Sequence, residues 1–296
     1  MEYRSIFTGS SDRSLVQQSD LNDCRVVKQA EERFTKEPNV DNEKVSYILA
    51  YDVARSQNEQ SAQSSLAVIK CIEKGDGTYT KKLVNIYGFK GSHFKDQAIF
   101  IKKKFFDFKA SMIVVDANGV GRGLVDFLVV DIDEKPTFSV VNDKDFDKFK
   151  QADSIPCIFS LISSKKETKA SAIHDVFINT IFNHQLKILV SEVSARGMLD
   201  GKYEGEELAE KLLPFISTDR FFDEVMNLEY VHGANGTQVK QISSGMNKDR
   251  FSAVEYGLFY IYLEERRNQQ RKRECETDIN VLAKMYKKPK YKRFRR

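Results

Sequence analysis

The sequence contains no tryptophan, only 5 prolines and 15 glycines, and no long uninterrupted apolar stretch. So few prolines and glycines exclude a collagenous or low-complexity chain. Apolar runs such as Met112–Val115 and Phe127–Val130 are far shorter than the roughly 18 residues that a membrane-spanning helix needs. The first residues also lack the basic and then apolar segments of a secretory signal. We therefore expect a soluble, intracellular protein with no membrane partner.

Cysteine is equally scarce, and its spacing excludes a zinc-binding module. The four cysteines, at positions 24, 71, 157 and 275, are far apart in sequence. They form no C-x-x-C pair, and no histidine stands near them at the spacing of a zinc site. Four reduced thiols are therefore predicted, as is usual in a cytosolic compartment.

What the sequence does contain is a large apolar fraction and an uneven charge distribution. With 296 residues, 41% of them hydrophobic, and 21 phenylalanines, the chain can bury a substantial core. The net charge is only +4, but residues 264–296 hold 13 basic and 5 acidic side chains. Such a basic tail, interleaved with Tyr286, Tyr291 and Phe294, is typical of a nucleic-acid contact. Its predicted DNA-binding residues are Lys287, Lys288, Lys290, Lys292 and Arg293.

The pattern of apolar runs and turns predicts an α/β fold with a mixed central sheet and helices on both faces. Three strands, Ser46–Asp52, Ser65–Ile72 and Thr78–Tyr87, should form an antiparallel meander, because Gly75-Asp76-Gly77 suits a hairpin turn. A helix over Ser92–Phe108 should then return the chain. It would place the next strand, residues 112–116, parallel to the first.

The chain as a whole is predicted to consist of three segments. Residues 1–44 are polar and predict an N-terminal arm or linker, with a possible helix over residues 21–34. Residues 45–263 form the predicted domain, with a charged loop over 143–156, a hairpin over 228–240 and a last helix from 248 to about 266. Residues 264–296 are the basic C-terminal tail.

Aspartates stand at three places where the predicted fold brings distant segments together. Asp52 and Asp116 each end a strand, and the carboxyl ends of neighbouring parallel strands share one edge of a sheet. Asp249 begins the last helix, where it could also simply complement the helix dipole. Crowded carboxylates repel one another, and a divalent cation such as Mg²⁺, which prefers oxygen ligands, would relieve that repulsion.

The segments around these aspartates resemble a known family. Residues 48–56, 114–124 and 246–256 are similar to the three acidic motifs of the large terminase subunit of tailed bacteriophages. The similar region covers about residues 47–262 and corresponds to that family's C-terminal nuclease domain, which has a ribonuclease H-like fold. The resemblance implies an endonuclease that cuts double-stranded DNA during genome packaging with two Mg²⁺ or Mn²⁺ ions. The implied ligands are Asp52, Asp116 and Asp249, with Asp52 bridging the two ions.

The same resemblance sets expectations about partners and about what the chain omits. Large terminases also carry an ATPase motor, which needs a G-x-x-x-x-G-K-[ST] loop, and this sequence has none. We therefore expect the nuclease half alone, whose first residues resemble the exit from the motor domain. The implied partners are a terminase ATPase domain or subunit, the small terminase subunit and the portal protein, in the cytoplasm of the infected bacterial host.

Several residues near the motifs are weaker candidates. Basic side chains flank the acids and are predicted phosphate contacts, namely Arg55, Arg122, Lys248 and Arg250. Glu59 is a doubtful additional acid after the first motif, and Asp126 is predicted to be a solvated helix charge. The histidines 174 and 184 are predicted to be ordinary helix residues, and His232 a turn residue.

Two other functions stay open at the level of sequence. Another ribonuclease H-like nuclease, of the junction-resolvase or transposase type, would use the same acids. A non-catalytic module that docks DNA or capsid partners through the basic tail would not need them.

Overall fold

The computed structural model describes residues 14–53, 63–119, 121–162, 170–233, 236–243 and 245–285. Within these ranges, eight strands form one sheet in the order β1-β8-β4-β3-β2-β5-β7-β6, and β9 and β10 form a separate hairpin. The strands are β1 (Arg25–Val27), β2 (Val45–Asp52), β3 (Gln63–Glu73), β4 (Tyr79–Lys90), β5 (Met112–Asp116), β6 (Phe138–Val140), β7 (Ile155–Leu161), β8 (Leu186–Leu189), β9 (Leu228–Gly233) and β10 (Gly236–Gln241). The α-helices are α1 (Gln18–Asp23), α2 (Phe94–Phe108), α3 (Gly121–Leu128), α4 (Ala170–Phe182), α5 (Glu192–Leu199), α6 (Gly205–Met226) and α7 (Asp249–Met285).

The sheet has the mixed topology that the sequence predicted. Strands β2, β3 and β4 form an antiparallel meander, and β5 lies parallel to β2 on the other side. Strands β7 and β6 continue the parallel set from β5, and β8 and β1 extend it from β4. This confirms the α/β class and the ribonuclease H-like arrangement of the central strands.

Helices cover both faces of the sheet, as predicted. On one face, α4, α6 and α7 pack against residues such as Ile48 and Ala50 of β2. On the other face, α2 and α3 pack against Tyr47, Leu49 and Tyr51. Because successive side chains of a strand point to opposite faces, one buried strand serves both cores. Strand β2 is accordingly almost fully buried along its length.

Helix α7 lies unusually close to the sheet, and a glycine permits this. A Cβ at Gly257 would stand 2.7 Å from Ile69 Cδ1 and 2.9 Å from Ala50 Cβ, closer than van der Waals contact allows. With glycine on the helix and alanine on β2, the two backbones approach closely. The start of α7 is therefore held at the same edge of the sheet as the end of β2.

Three sequence predictions were wrong in detail. The loop expected over residues 143–156 contains a 3-10 helix, Lys144–Phe149, and is followed by the unpredicted strand β7. The helix expected over residues 21–34 is replaced by the short α1 and by β1, whose pairing with β8 lies far away in sequence. The last helix continues to Met285 instead of ending near residue 266.

The N-terminal arm is packed on the sheet where the structure describes it. Leu15, Val16 and Leu21 are buried in the core that contains α7. Lys70 of β3 is buried and forms ion pairs with Glu31 and Glu37 of the arm, at 2.9 and 3.2 Å. The proposed limits at residues 44/45 and 263/264 stay predictions, and the second falls inside α7. None of the helices within the described ranges combines the length and apolarity needed to span a bilayer.

Candidate metal centre

Two aspartates end neighbouring parallel strands at one edge of the sheet. Asp52 is the last residue of β2 and Asp116 the last of β5. Tyr51 pairs with Val115 in the register of the two strands, so the aspartates that follow lie side by side. Both are buried, with 8% and 6% of their surface exposed. Their side chains share the sheet face that α7 covers.

Asp249 is the first residue of α7. It lies near Asp52 although it is distant from it in sequence. Burial raises the pKa of Asp52 well above its ordinary value, and the negative charges of Asp249 and Asp116 raise it further. The positive charge of Lys248 and a hydrogen bond from Ser252 oppose this rise in pKa. The structure thus places Asp249 and Asp116 near enough to Asp52 to raise its pKa, although the three acids are 64 and 133 residues apart in sequence.

Asp116 is held by groups on both sides of its carboxylate. The backbone N–H and side-chain amide of Asn118 donate to Oδ1, at 2.9 and 2.6 Å, and the Tyr256 hydroxyl of α7 lies 3.5 Å from Oδ2. Gly121 begins α3 directly against this strand end, because a Cβ there would lie 1.6 Å from the Asp116 carbonyl oxygen. Gly121, inside the second motif, is therefore required by close backbone packing.

Glu224 of α6 fixes the start of α7. Its carboxylate accepts hydrogen bonds from the backbone N–H groups of Arg250 and Phe251, at 2.9 and 3.0 Å, and from Arg250 Nη1 at 2.7 Å. Burial raises the pKa of Glu224 to about 6. An acid that satisfies the free N–H groups of a first helical turn stabilises that turn, and Asp249 stands next to it.

The predicted phosphate contacts fall into three groups. The prediction that Arg250 contacts a phosphate at the surface is wrong, because its side chain is buried and paired with Glu224. Lys248 is exposed and close enough to Asp52 to lower its pKa. Arg122 is also exposed and pairs with Asp145 at 2.9 Å. Outside the described residues lie Arg55, Glu59, Lys287, Lys288, Lys290, Lys292 and Arg293.

The chemistry of the donors fits a hard divalent cation. The candidates are carboxylate oxygens, which Mg²⁺ and Mn²⁺ prefer, and the buried Ser65 hydroxyl opposite Asp52 has no hydrogen-bond partner among the described residues. In those same ranges, no three His, Cys, Asp or Glu side chains already converge on a single ion position. Repulsion among the three aspartates would oppose such convergence until a cation neutralises them.

Comparison with known proteins finds similarity in structure but not in sequence. No protein-family model matches the sequence, and no curated protein sequence matches it. Solved structures do match most of the chain. They include nuclease domains of phage large terminases. The chain is similar in structure to them.

Three of these large terminase nucleases illustrate the similarity. The enzyme of the thermophilic phage G20c with bound cobalt is 13% identical, with 84% of this chain and 97% of that chain covered and a TM-score of 0.48. The domain from bacterial virus Sf6, with manganese and β-thujaplicinol, is 10% identical, with 83% and 98% covered and a TM-score of 0.45. The domain from bacteriophage SPP1 with bound manganese is 12% identical, with 78% and 97% covered and a TM-score of 0.38.

Sequence reasoning missed the residues that support the acids. Ser252 and Tyr256 follow Asp249 by three and seven positions, the spacing of one helix face, so a signal was present inside the third terminase-like motif. Asn118 and Glu224 gave no such signal. The prediction of a helix residue is confirmed for His174, whose Nδ1 pairs with the buried Glu255 of α7, and wrong for His184, which follows the end of α4 with a φ of 51°.

Proposed function

We propose that the chain is a metal-dependent endonuclease that cuts double-stranded DNA during phage genome packaging. The observation that supports the proposal is that Asp52 and Asp116 end neighbouring parallel strands of a ribonuclease H-like sheet, with Asp249 near enough to raise the pKa of Asp52. Buried acids that repel one another are costly to stability. Their clustering is therefore more readily explained by function than by the fold.

Each aspartate has a distinct place in this proposal. Asp52 experiences the charge of both other acids, and we assign it as the ligand shared between two Mg²⁺ or Mn²⁺ ions. The other two aspartates would each bind one of the two ions. Asp116 is contacted by Asn118 and Tyr256, and Asp249 stands at the start of α7. Divalent cations bound there would supply Lewis-acid stabilisation of the phosphate charge and activation of the attacking water.

The DNA partner is inferred from exposed cations beside this edge. Lys248 precedes Asp249 and is exposed, so its ammonium group can contact a phosphate next to the scissile bond. Arg122, at the start of α3, would contact the backbone further along the strand. Phosphate contacts carry no base information, so little sequence preference is expected. The packaging role and the expected motor, small-subunit and portal partners rest on the resemblance of the three motifs.

Cleavage of plasmid DNA tests the proposal. The chain should cut supercoiled and linear duplex with Mn²⁺ or Mg²⁺ and be inactive with EDTA. Asp52→Asn should lower the rate at least about 100-fold, since it removes a ligand and a charge together. The control Asp126→Asn, an exposed acid of α3, should retain full activity.

Three outcomes would contradict the proposal. Full activity of Asp52→Asn would show that cleavage does not depend on the proposed metal centre. A preference for four-way junctions over duplex would favour a resolvase. An inert wild-type chain on every DNA substrate with Mn²⁺ would favour a docking module.

A further inference from the structure

Helix α7 presents more than one polar group to the strand acids. Asp249, Ser252 and Tyr256 stand at positions i, i+3 and i+7, which lie on one face of a helix. Ser252 is buried, and Tyr256 is half-buried. The close packing at Gly257, one residue further on, presses this part of the helix onto the sheet.

The hydroxyl groups of this face lie near the two strand aspartates. The Tyr256 hydroxyl lies 3.5 Å from Asp116 Oδ2, and Ser252, one turn before it, is close enough to Asp52 to lower its pKa. Asn118 already holds Asp116 Oδ1 with two donors. Asn118, in the loop that follows, therefore contacts one oxygen of the Asp116 carboxylate, and Tyr256 of α7 contacts the other.

We propose that Tyr256 is a positioning residue that sets the Asp116 carboxylate for cation binding, and that the buried Ser252, on the same face of α7, acts in the same way on Asp52. This inference rests on the proposed metal centre. A carboxylate held at both oxygens keeps one orientation, and partners that orient a ligand typically change metal affinity 10- to 100-fold. A tyrosine that only filled space would be replaced by phenylalanine without effect on affinity, because the ring is retained.

The lack of tryptophan provides an optical test of whether Tyr256 lies beside the bound cation. Tb³⁺ is a hard cation that binds oxygen sites, and its emission is sensitised by an aromatic ring close to the ion. In this chain the sensitiser must be a tyrosine, and Tyr256 contacts a proposed ligand. The wild-type protein should show sensitised Tb³⁺ emission that excess Mn²⁺ abolishes, and Tyr256→Phe should lose more than half of it.

A second readout measures affinity without using the tyrosine. Free Mn²⁺, measured by its electron paramagnetic resonance signal, should show about 10-fold weaker binding in Tyr256→Phe and a smaller loss in Ser252→Ala. The matched control is Tyr260→Phe, one turn further along α7, where the ring packs on Phe159 with centroids 5.1 Å apart. It should bind both ions like the wild type.

The outcomes separate this inference from the proposed function. If Asp52→Asn loses Mn²⁺ binding while Tyr256→Phe and Ser252→Ala bind like the wild type, the positioning role is wrong and the metal centre stands. If Tyr256→Phe fails to fold, Ser252→Ala, which keeps the ring, decides the question. A wild-type chain that binds no Mn²⁺ overturns both.

Discussion

Asp52 is the residue at which function and stability conflict most clearly. It is buried at the end of β2, and burial together with Asp249 and Asp116 raises its pKa well above the ordinary 3.8. Because the pKa is higher in the folded than in the unfolded chain, ionisation of Asp52 lowers stability as the pH rises from the unfolded value through the folded one. At neutral pH, the metal-free protein bears that cost.

Removing the charge should therefore stabilise the metal-free protein. Asp52→Asn is expected to raise the free energy of unfolding by about 0.5–2 kcal/mol at pH 7. The difference from the wild type should shrink toward pH 4. Thermal unfolding in EDTA measures this, with Asp126→Asn as the control. An Asp52→Asn variant less stable than the wild type at pH 7 would contradict the assignment of repulsion at this residue.

Cysteine reactivity tests the burial of the two cores. Burial raises the pKa of Cys24 to about 11 and that of Cys71 to about 12, and it raises the pKa of Cys157 as well. Cys275 is exposed, and all four thiols are free, as the sequence predicted. A thiol reagent at pH 8 should therefore modify one cysteine quickly in the native protein and four after unfolding. Fast modification of two or more native cysteines would show that a core is more open than described.

At the scale of elements, the packing of α7 on β2 and β3 decides whether the site forms. Gly257→Ala should destabilise the protein by about 1–3 kcal/mol, because the added methyl group overlaps Ile69 and Ala50. It should also weaken Mn²⁺ binding, since α7 carries Asp249 and Tyr256.

The control is the same substitution where there is space. Gly197 lies in α5, and its added Cβ would meet no atom within 4 Å. Gly197→Ala should be neutral or stabilising by up to about 1 kcal/mol, through helix propensity alone. Equal effects of the two substitutions in chemical denaturation would argue against close packing at Gly257.

The elements also show how far sequence reasoning reaches. The meander β2–β4, the crossover through α2 and the Asp-terminated strands were predicted, because apolar runs, a glycine turn and helical periodicity are local signals. Strand β7 was missed, because Pro156 and the charged residues before it suggest a loop. Strand β1 exists through its pairing with β8, and the burial of Arg250 depends on Glu224 of α6. Tertiary contacts of this kind leave no local pattern in the sequence.

At the scale of the whole molecule, α7 carries the chain away from the acidic site. The helix has 37 residues and so spans about 55 Å. It starts at the edge where β2 and β5 end and crosses to the β3–β4 turn, where Glu265 pairs with Lys81 at 2.8 Å and Asn268 donates to the Tyr79 hydroxyl at 3.0 Å. Met285, at the end of this helix, therefore lies far from Asp52, and we expect the basic residues that follow it in sequence to contact a different part of a long DNA.

Removal of residues 286–296 tests that separation. The slope of log affinity against log salt concentration, measured on long duplex DNA, should become shallower by about 0.9 for each phosphate that the tail neutralises. The rate of cleavage at saturating DNA should stay within about twofold of the wild type, since the edge where β2 and β5 end is untouched. A complete loss of cleavage at saturating DNA would show instead that the tail acts at the site.

Anomalous X-ray scattering from crystals soaked in Mn²⁺ tests the metal centre most directly. We predict manganese peaks contacted by carboxylate oxygens of Asp52, Asp116 and Asp249, with Asp52 between two ions about 3.5–4 Å apart. The same soak of Asp52→Asn crystals should lose at least one peak. The contrary result is saturating Mn²⁺ with no peak at any of the three aspartates, or carboxylates held more than about 10 Å apart, too far for one paired site.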